Sequence, residues 1–356
     1  MIDRGAMKRL SVCLLLASSV VAQTPADRPF KIIKLDPALD QIIAPGAKLE
    51  TLGDHFGLTE GPVWIRNGAN GYLLFSDCAA NVIYRWQAAK PLSVFLEKSG
   101  YTGSDILNVG QQTVTGGRVA VLLIGSNGLT LDPQGRLVIT AMADRKVVRL
   151  EKDGARTVLA DRYEGKRFSG PNDLVVKSDG AIYFTDSVNG LRGGGESPAR
   201  ELHFNGFYLV KDGKVTYLGG DRDAPGDFPN GIALSPDEKH LYVTAGFHKT
   251  LRYDVLTDDT LANPVTFLNE GVDGMKVDQR GDLYSTVLGG EIWITTPEGK
   301  HIGTLQLPQI SEEPRPRIVD TNLAFGDADG KTLYITACTH LFRIRLKVAG
   351  VRPGPK

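Results

Sequence analysis

The chain has 356 residues, 42% of them hydrophobic, which is enough apolar material for one large core or two ordinary ones. Its 41 basic and 41 acidic residues cancel. No Lys/Arg run or basic-aromatic stripe occurs, so the electrostatic attraction that nucleic-acid binding depends on is excluded. A neutral small molecule is the expected partner.

At the N-terminus, Lys8 and Arg9 precede an apolar run from Leu10 to Ala22. A basic start, a short apolar core and small residues at its end predict a secretory signal peptide over residues 1–22, followed by a single domain over 23–356. The run is too short to span a bilayer, and no other stretch approaches the roughly 20 apolar residues a spanning helix needs. The expected location is periplasmic or secreted, with no membrane association after signal cleavage. Cys13 falls inside the signal, leaving Cys78 and Cys338. These are either joined by a disulfide in an oxidising compartment or are two small buried thiols.

Beyond the signal the chain repeats itself. Six segments align, beginning at Glu60 (EGPVW), Asn127 (NGLTLDPQGRLVIT), Asn172 (NDLVVKSDGAIYFTD), Asn230 (NGIALSPDEKHLYVT), Asp273 (DGMKVDQRGDLYST) and Asn322 (NLAFGDADGKTLYIT). After the first, each reads as a polar residue, a short apolar strand, a turn and a second strand. The turns, such as Asp132-Pro-Gln-Gly135 and Asp327-Ala-Asp-Gly330, combine Gly, Pro and Asp in the manner of hairpin connections. Third and fourth strands follow in most units, as in Val82–Trp86 and Arg156–Leu159. Periods of this length mark propeller blades. The predicted fold is all-β, a six-bladed β-propeller of four-stranded antiparallel blades. The last unit runs out of chain after its third strand, so the N-terminal segment near Lys48–Leu52 is expected to complete it and close the ring. Two longer connections, Gly100 to Ser126 and Asn189 to Asn205, are expected to cover one mouth of the channel.

The first residues of the innermost strands face one another across a propeller channel, so Glu60, Asn127, Asn172, Asn230, Asp273 and Asn322 form a polar ring. Taken singly, an Asn-Gly or Asp-Gly pair is most often a turn. Repetition in six blades points further, although a purely structural ring of turn formers stays open. Carboxylate and amide oxygens together suit a hard divalent cation. The ring holds no Cys or His, which argues against a structural zinc site.

The motifs TEGPVW (Thr59–Trp64), GPNDLVV (Gly170–Val176), FPNGIALSPD (Phe228–Asp237) and GVDGMKVD (Gly271–Asp278) resemble the gluconolactonase/regucalcin family, supported by LLFSD (Leu73–Asp77) and IYFTD (Ile182–Asp186). The likeness runs from about residue 40 to about residue 346. It implies a six-bladed propeller whose channel holds one divalent metal ion on Glu60, Asn172, Asn230 and Asp273, with Ca²⁺ favoured and Zn²⁺ the other candidate. It also implies a metal-dependent hydrolase of sugar lactones, with a small-molecule lactone as substrate. Asp273 is the candidate catalytic residue that activates water. Asn127, Asp173 and His248 are substrate-side candidates: Asn127 by its ring position, Asp173 by its place beside Asn172, and His248 as a proton carrier at the channel mouth. Asp173 is equally readable as structural, and a lone His is more often a surface or core residue. Asn322 is expected to bond backbone across the blade junction.

Two other readings compete: a broader esterase or phosphotriesterase using the same residues, and a calcium-binding propeller without catalysis. Serine hydrolase chemistry lacks a GxSxG elbow, and Gly193-Gly-Gly195 lacks the Lys-Ser/Thr ending of a phosphate loop. The chain departs from the family pattern at Ser169-Gly170, at Ser187-Val-Asn189 and in the charged Glu312–Arg317 stretch, all expected near the mouth, which loosens any assignment to one lactone.

Overall fold

The structure is a computed structural model that describes residues 28–68, 71–115, 118–287, 289–309 and 321–355. Residues 1–22, expected to be a signal peptide, lie outside the described residues, as does Glu312–Arg317. Six antiparallel sheets succeed one another along the chain. Their inner strands are Thr59–Ile65, Ser126–Leu131, Pro171–Val176, Ile232–Leu234, Val272–Val277 and Asn322–Gly326, which define blades 1 to 6. Each inner strand neighbours those of the blades before and after, and that of blade 6 returns to blade 1, so the sheets form a closed six-bladed propeller. The only helical elements among the described residues are three short 3-10 turns.

The turns fold as their composition requires. Gly135, Gly180, Gly281 and Gly330 all take positive φ where the inner strand reverses into the second. Blade 4 has Glu238 at that corner, in the same left-handed region at φ 59°. Leu49–Gly53 pairs antiparallel with His340–Arg345, Leu49 opposite Ile344, and so supplies the fourth strand of blade 6, as expected. A strand outside the repeat was not foreseen. Lys31–Lys34 pairs with His301–Gln306 and makes blade 5 five-stranded. The turn after it buries Leu39, Ile42 and Ile43 against Ile302 and Leu305 of blade 5 and Phe342 and Ile344 of blade 6. At roughly 1.5–3 kcal/mol per buried aliphatic side chain, this staple adds materially to the closure.

The apolar core lies between blades, in facing layers. Val63, Leu74 and Ile83 of blade 1 meet Leu129, Leu137 and Ile139 of blade 2, and Trp64 and Phe75 of blade 1 meet Tyr334 and Leu341 of blade 6. Trp64 stacks on Tyr334 with ring centroids 5.2 Å apart.

Nearer the axis the contact between blades is polar and repeats. Ser76, Thr140, Thr185, Thr244, Thr286 and Thr336 occupy one position in the second strand of each blade, and all are buried. Four of them donate to a carbonyl of the following blade: Ser76 to Asn127 (2.9 Å), Thr140 to Asn172 (2.7 Å), Thr244 to Val272 (2.8 Å) and Thr286 to Thr321 (3.1 Å). At the junction of blades 6 and 1 the link runs through Thr321, whose hydroxyl lies 2.7 Å from the Thr59 carbonyl and 2.9 Å from the Thr336 hydroxyl.

Three of these hydroxyls sit where the ladder is interrupted. In blades 2, 3 and 5 the register slips so that two inner-strand residues oppose one second-strand residue: Asn127-Gly128 against Thr140, Asn172-Asp173 against Thr185, and Asp273-Gly274 against Thr286. A bulge of this kind leaves backbone groups without ladder partners and re-aims a side chain. The hydroxyl satisfies the backbone, as where Thr286 accepts from the Gly274 N–H at 2.7 Å. The glycines after the ring residues are therefore close-approach positions rather than the turns expected of single Asn-Gly pairs. A Cβ on Gly128 would lie 2.9 Å from the Asn172 carbonyl oxygen, and one on Gly231 would lie 2.3 Å from that of Asp273.

Thr140→Val keeps the shape and removes the bond to the Asn172 carbonyl. Urea denaturation of this variant is expected to show a loss of about 1–3 kcal/mol, the cost of leaving a buried acceptor unsatisfied. Thr157→Val, on the exposed outer strand of the same blade, should stay within about 0.5 kcal/mol of the native protein.

Candidate functional site

Strand alternation places the starts of all inner strands at one end of the propeller, together with the connections between second and third strands and those between blades. The two long connections meet at this end. The Gly110 N–H donates to the Gly190 carbonyl at 3.0 Å, and Arg192 donates to Leu107 O at 2.6 Å and Asn108 Oδ1 at 2.8 Å. The first connection also carries the hairpin Gln111–Thr115 with Arg118–Leu123.

In blades 1 and 3 the chain approaching the ring is pinned by a carboxylate at the end of the second strand. Asp77 accepts from the N–H groups of Gly57 (2.9 Å) and Leu58 (3.2 Å), just before Glu60. Asp186 accepts from Ser169 (2.9 Å) and Gly170 (2.7 Å), just before Asn172. Burial pushes Asp186 up to about 7, against the pull of those two bonds and of Arg145. The Ser169-Gly170 and Ser187 departures lie within this pinned corner, where the Ser187 N–H donates to Gly170 O.

The six ring residues occupy equivalent inner-strand starts. Glu60 and Asn172 are each 4% exposed, Asn127 6% and Asn322 2%, while Asn230 and Asp273 are half-buried. Asn230 Nδ2 donates to Asp273 Oδ1 at 2.8 Å. Glu60 is held well above the usual carboxylate range, first by burial and then by the negative charge of Asp273, with Asp173 adding to it. Asp273 is raised to about 7 by burial; the Asn230 bond lowers it and Asp173 raises it. Three carboxylates from blades 1, 3 and 5 therefore share one electrostatic environment, and positive charge placed among them is favoured.

The donor set fits a hard cation. Asn127 Oδ1 and Asn230 Oδ1 are buried amide oxygens without a hydrogen-bond partner, a costly state that a bound ion or ligand relieves. Acidic groups alone do not form the site: among the described residues no cluster of three or more His, Cys, Asp or Glu is placed to hold a metal. The amide oxygens of Asn172 and Asn230 are needed to complete any ligand set with Glu60 and Asp273.

Asp173 occupies the position that is glycine in blades 1, 2, 4 and 5. Its Oδ1 accepts from the Leu174 N–H at 2.8 Å, and its Oδ2 lies 3.3 Å from Asn322 Nδ2 and 3.9 Å from Lys276 Nζ. The backbone bond of Asn322 is to the next residue of its own strand, the Leu323 N–H at 2.9 Å, rather than across the blade junction, and what its amide reaches in blade 1 is a side chain, Glu60 Oε2 at 3.2 Å. Lys276 is the channel residue that sequence reasoning missed. It follows Asp273 by three positions, which in a regular strand puts the two on opposite faces. The bulge at Asp273-Gly274 shifts the alternation, and both reach the channel. His248 is exposed in the turn after the second strand of blade 4, at the same end as the ring, beside Phe247, whose ring packs on Phe228 with centroids 4.8 Å apart. Cys78 is buried, its thiol donating to Ser126 O at 3.1 Å, and Cys338 is half-buried; no disulfide joins them.

A gluconolactonase of Zymomonas mobilis is 33% identical over 336 residues, 90% of this chain and 87% of that one. The solved gluconolactonase of Xanthomonas campestris superposes with a TM-score of 0.70 at 26% identity, covering 92% of this chain and 99% of that one. The calcium-binding protein regucalcin of Agrobacterium tumefaciens shares the fold, with a TM-score of 0.62 at 17% identity over 92% of this chain and 97% of that one. Residues 58–339, which run from the carboxylate-pinned start of blade 1 to the last turn of blade 6, match the model of the SMP-30/Gluconolactonase/LRE-like region, and the chain belongs to that family.

Proposed function

We propose that this protein is an exported, metal-dependent hydrolase that opens sugar lactones. The observation that carries the reading is the convergence of Glu60, Asp173 and Asp273 with the unpartnered amide oxygens of Asn127 and Asn230 at one end of the channel. The family, and the relative named a gluconolactonase that matches over most of its length, supply the substrate class.

Glu60, Asn172, Asn230 and Asp273 would hold one divalent ion, with Ca²⁺ favoured by the all-oxygen donors and Zn²⁺ the second candidate. Such an ion supplies Lewis-acid polarisation of an ester carbonyl. The chain itself supplies orientation and proton transfer. Asn230 fixes Asp273 through Oδ1, which would leave Oδ2 to take the proton of the water that attacks the lactone carbonyl and to return it to the ring oxygen as the acyl C–O bond breaks. Asn127, buried with its Oδ1 lacking a hydrogen-bond partner, would accept from a substrate hydroxyl. The connections joined at Gly110 and Gly190 would border the route of substrate to the ring. Export rests on Lys8-Arg9 and the apolar run from Leu10 to Ala22.

A panel of aldonolactones, assayed with and without chelator, tests the reaction. Native protein is expected to turn over at least one member, to lose activity to chelator and regain it with Ca²⁺ or Zn²⁺. Asp273→Ala should fall by about 10²–10⁴-fold. Turnover indifferent to chelator would contradict the metal. Stoichiometric metal without turnover of any lactone or ester would favour the non-catalytic calcium-binding propeller.

Metal binding is also expected to show in stability. Calcium at about 100 times its dissociation constant should stabilise the native protein by about 2.7 kcal/mol, and thermal melts of Glu60→Gln should show most of that increment gone.

A further inference from the structure

We infer that Asn322, locked in one orientation by Lys276, is a positioning residue that holds Glu60 for cation binding. The inference rests on the proposed metal role of Glu60. Asn322 uses its whole hydrogen-bonding capacity. Its Oδ1 accepts from the Leu323 N–H (2.9 Å) and from Lys276 Nζ (3.0 Å). Its Nδ2 has two hydrogens and two carboxylates to receive them, Glu60 Oε2 at 3.2 Å and Asp173 Oδ2 at 3.3 Å. Two donors at one end and two anions at the other leave a single acceptable orientation of the amide.

The ammonium that sets this orientation is itself anchored. Lys276 Nζ donates to Met275 O at 3.0 Å and lies 3.9 Å from Asp173 Oδ2. Glu60 Oε2 is thereby committed on two sides, to Asn322 and to the Gly61 N–H at 2.9 Å, so Oε1 is the oxygen left for a cation. Outer bonds of this kind keep a ligand in place, and their loss costs about 10–100-fold in metal affinity.

Two variants leave every proposed ligand in place. Asn322→Leu removes the amide, and Lys276→Met removes the clamp on it. Calcium titration calorimetry of Asn322→Leu should give a dissociation constant weakened about 10–100-fold. Removing an ammonium by itself favours cation binding, so Lys276→Met is read by ion hydration instead. Europium(III) luminescence lifetimes in H₂O and D₂O count the waters on the bound ion, and both variants are expected to carry about one more water than the native protein, as Glu60 swings off the ion. Unchanged hydration in both variants, with calcium affinity of Asn322→Leu within twofold of native, would overturn the inference while leaving the metal site intact. An effect confined to Asn322→Leu would remove Lys276 from it. A native protein that binds neither ion would overturn the proposed function and this inference together.

Discussion

The structure depends on one recurring bond, from a Ser or Thr hydroxyl in the second strand of one blade to a carbonyl on the inner strand of the next. Apolar layers hold adjacent blades face to face, but such contacts are tolerant of sliding. A directional bond of 2.7–3.1 Å between buried groups is not. At the four junctions that have it, it fixes how far one inner strand is rotated and shifted relative to the next. It also makes the bulges affordable, because the backbone groups released from the ladder at Asn127, Asn172 and Asp273 find their partners in these hydroxyls. The glycines that follow most ring residues let the strands come close enough for the bond to form.

Those bulges decide the electrostatics of the channel. A regular inner strand would send alternate side chains into the space between blades. The slipped register turns Asn172 and Asp173, and Asp273 and Lys276, toward a common space. The result is three carboxylates, one ammonium and several amides in surroundings of low exposure. Burying uncompensated charge is expensive, so the arrangement is stable only with protons or a cation among the acids. The raised positions of Glu60 and Asp273 state the same fact from the side of the proton. Anionic oxygens gathered at these buried inner-strand starts favour positive charge among them.

The fold was legible in the sequence because its unit is short and repeated. Strand pairs around short turn-forming corners specify a blade, six repeated segments specify the ring, and a final unit lacking one strand specifies closure by the N-terminus. Lys31–Lys34 was not legible since it belongs to no repeat and joins blade 5 from outside. The inner-strand starts that form the ring were legible from their common register. Their surroundings were harder to read. Ser76, Thr140, Thr185, Thr244, Thr286 and Thr336 stand at one place in the second strands, so their recurrence was visible, but Thr is ordinary in strands and drew no attention. Lys276 was hidden by the bulge, which breaks the two-residue period that sequence reasoning relies on. Asp77 and Asp186 were visible as motif residues, while their capture of the incoming backbone needed coordinates.

The central claim is that oxygens from four blades meet on one cation. Its most direct measurement is a crystal structure of the protein soaked in calcium or a lanthanide, with the ion located by anomalous scattering. The account predicts one strong peak at the ring end of the channel, about 2.3–2.6 Å from oxygens of Glu60, Asn172, Asn230 and Asp273. A channel in which those side chains are bridged only by water, with the ion absent or bound elsewhere, would contradict it.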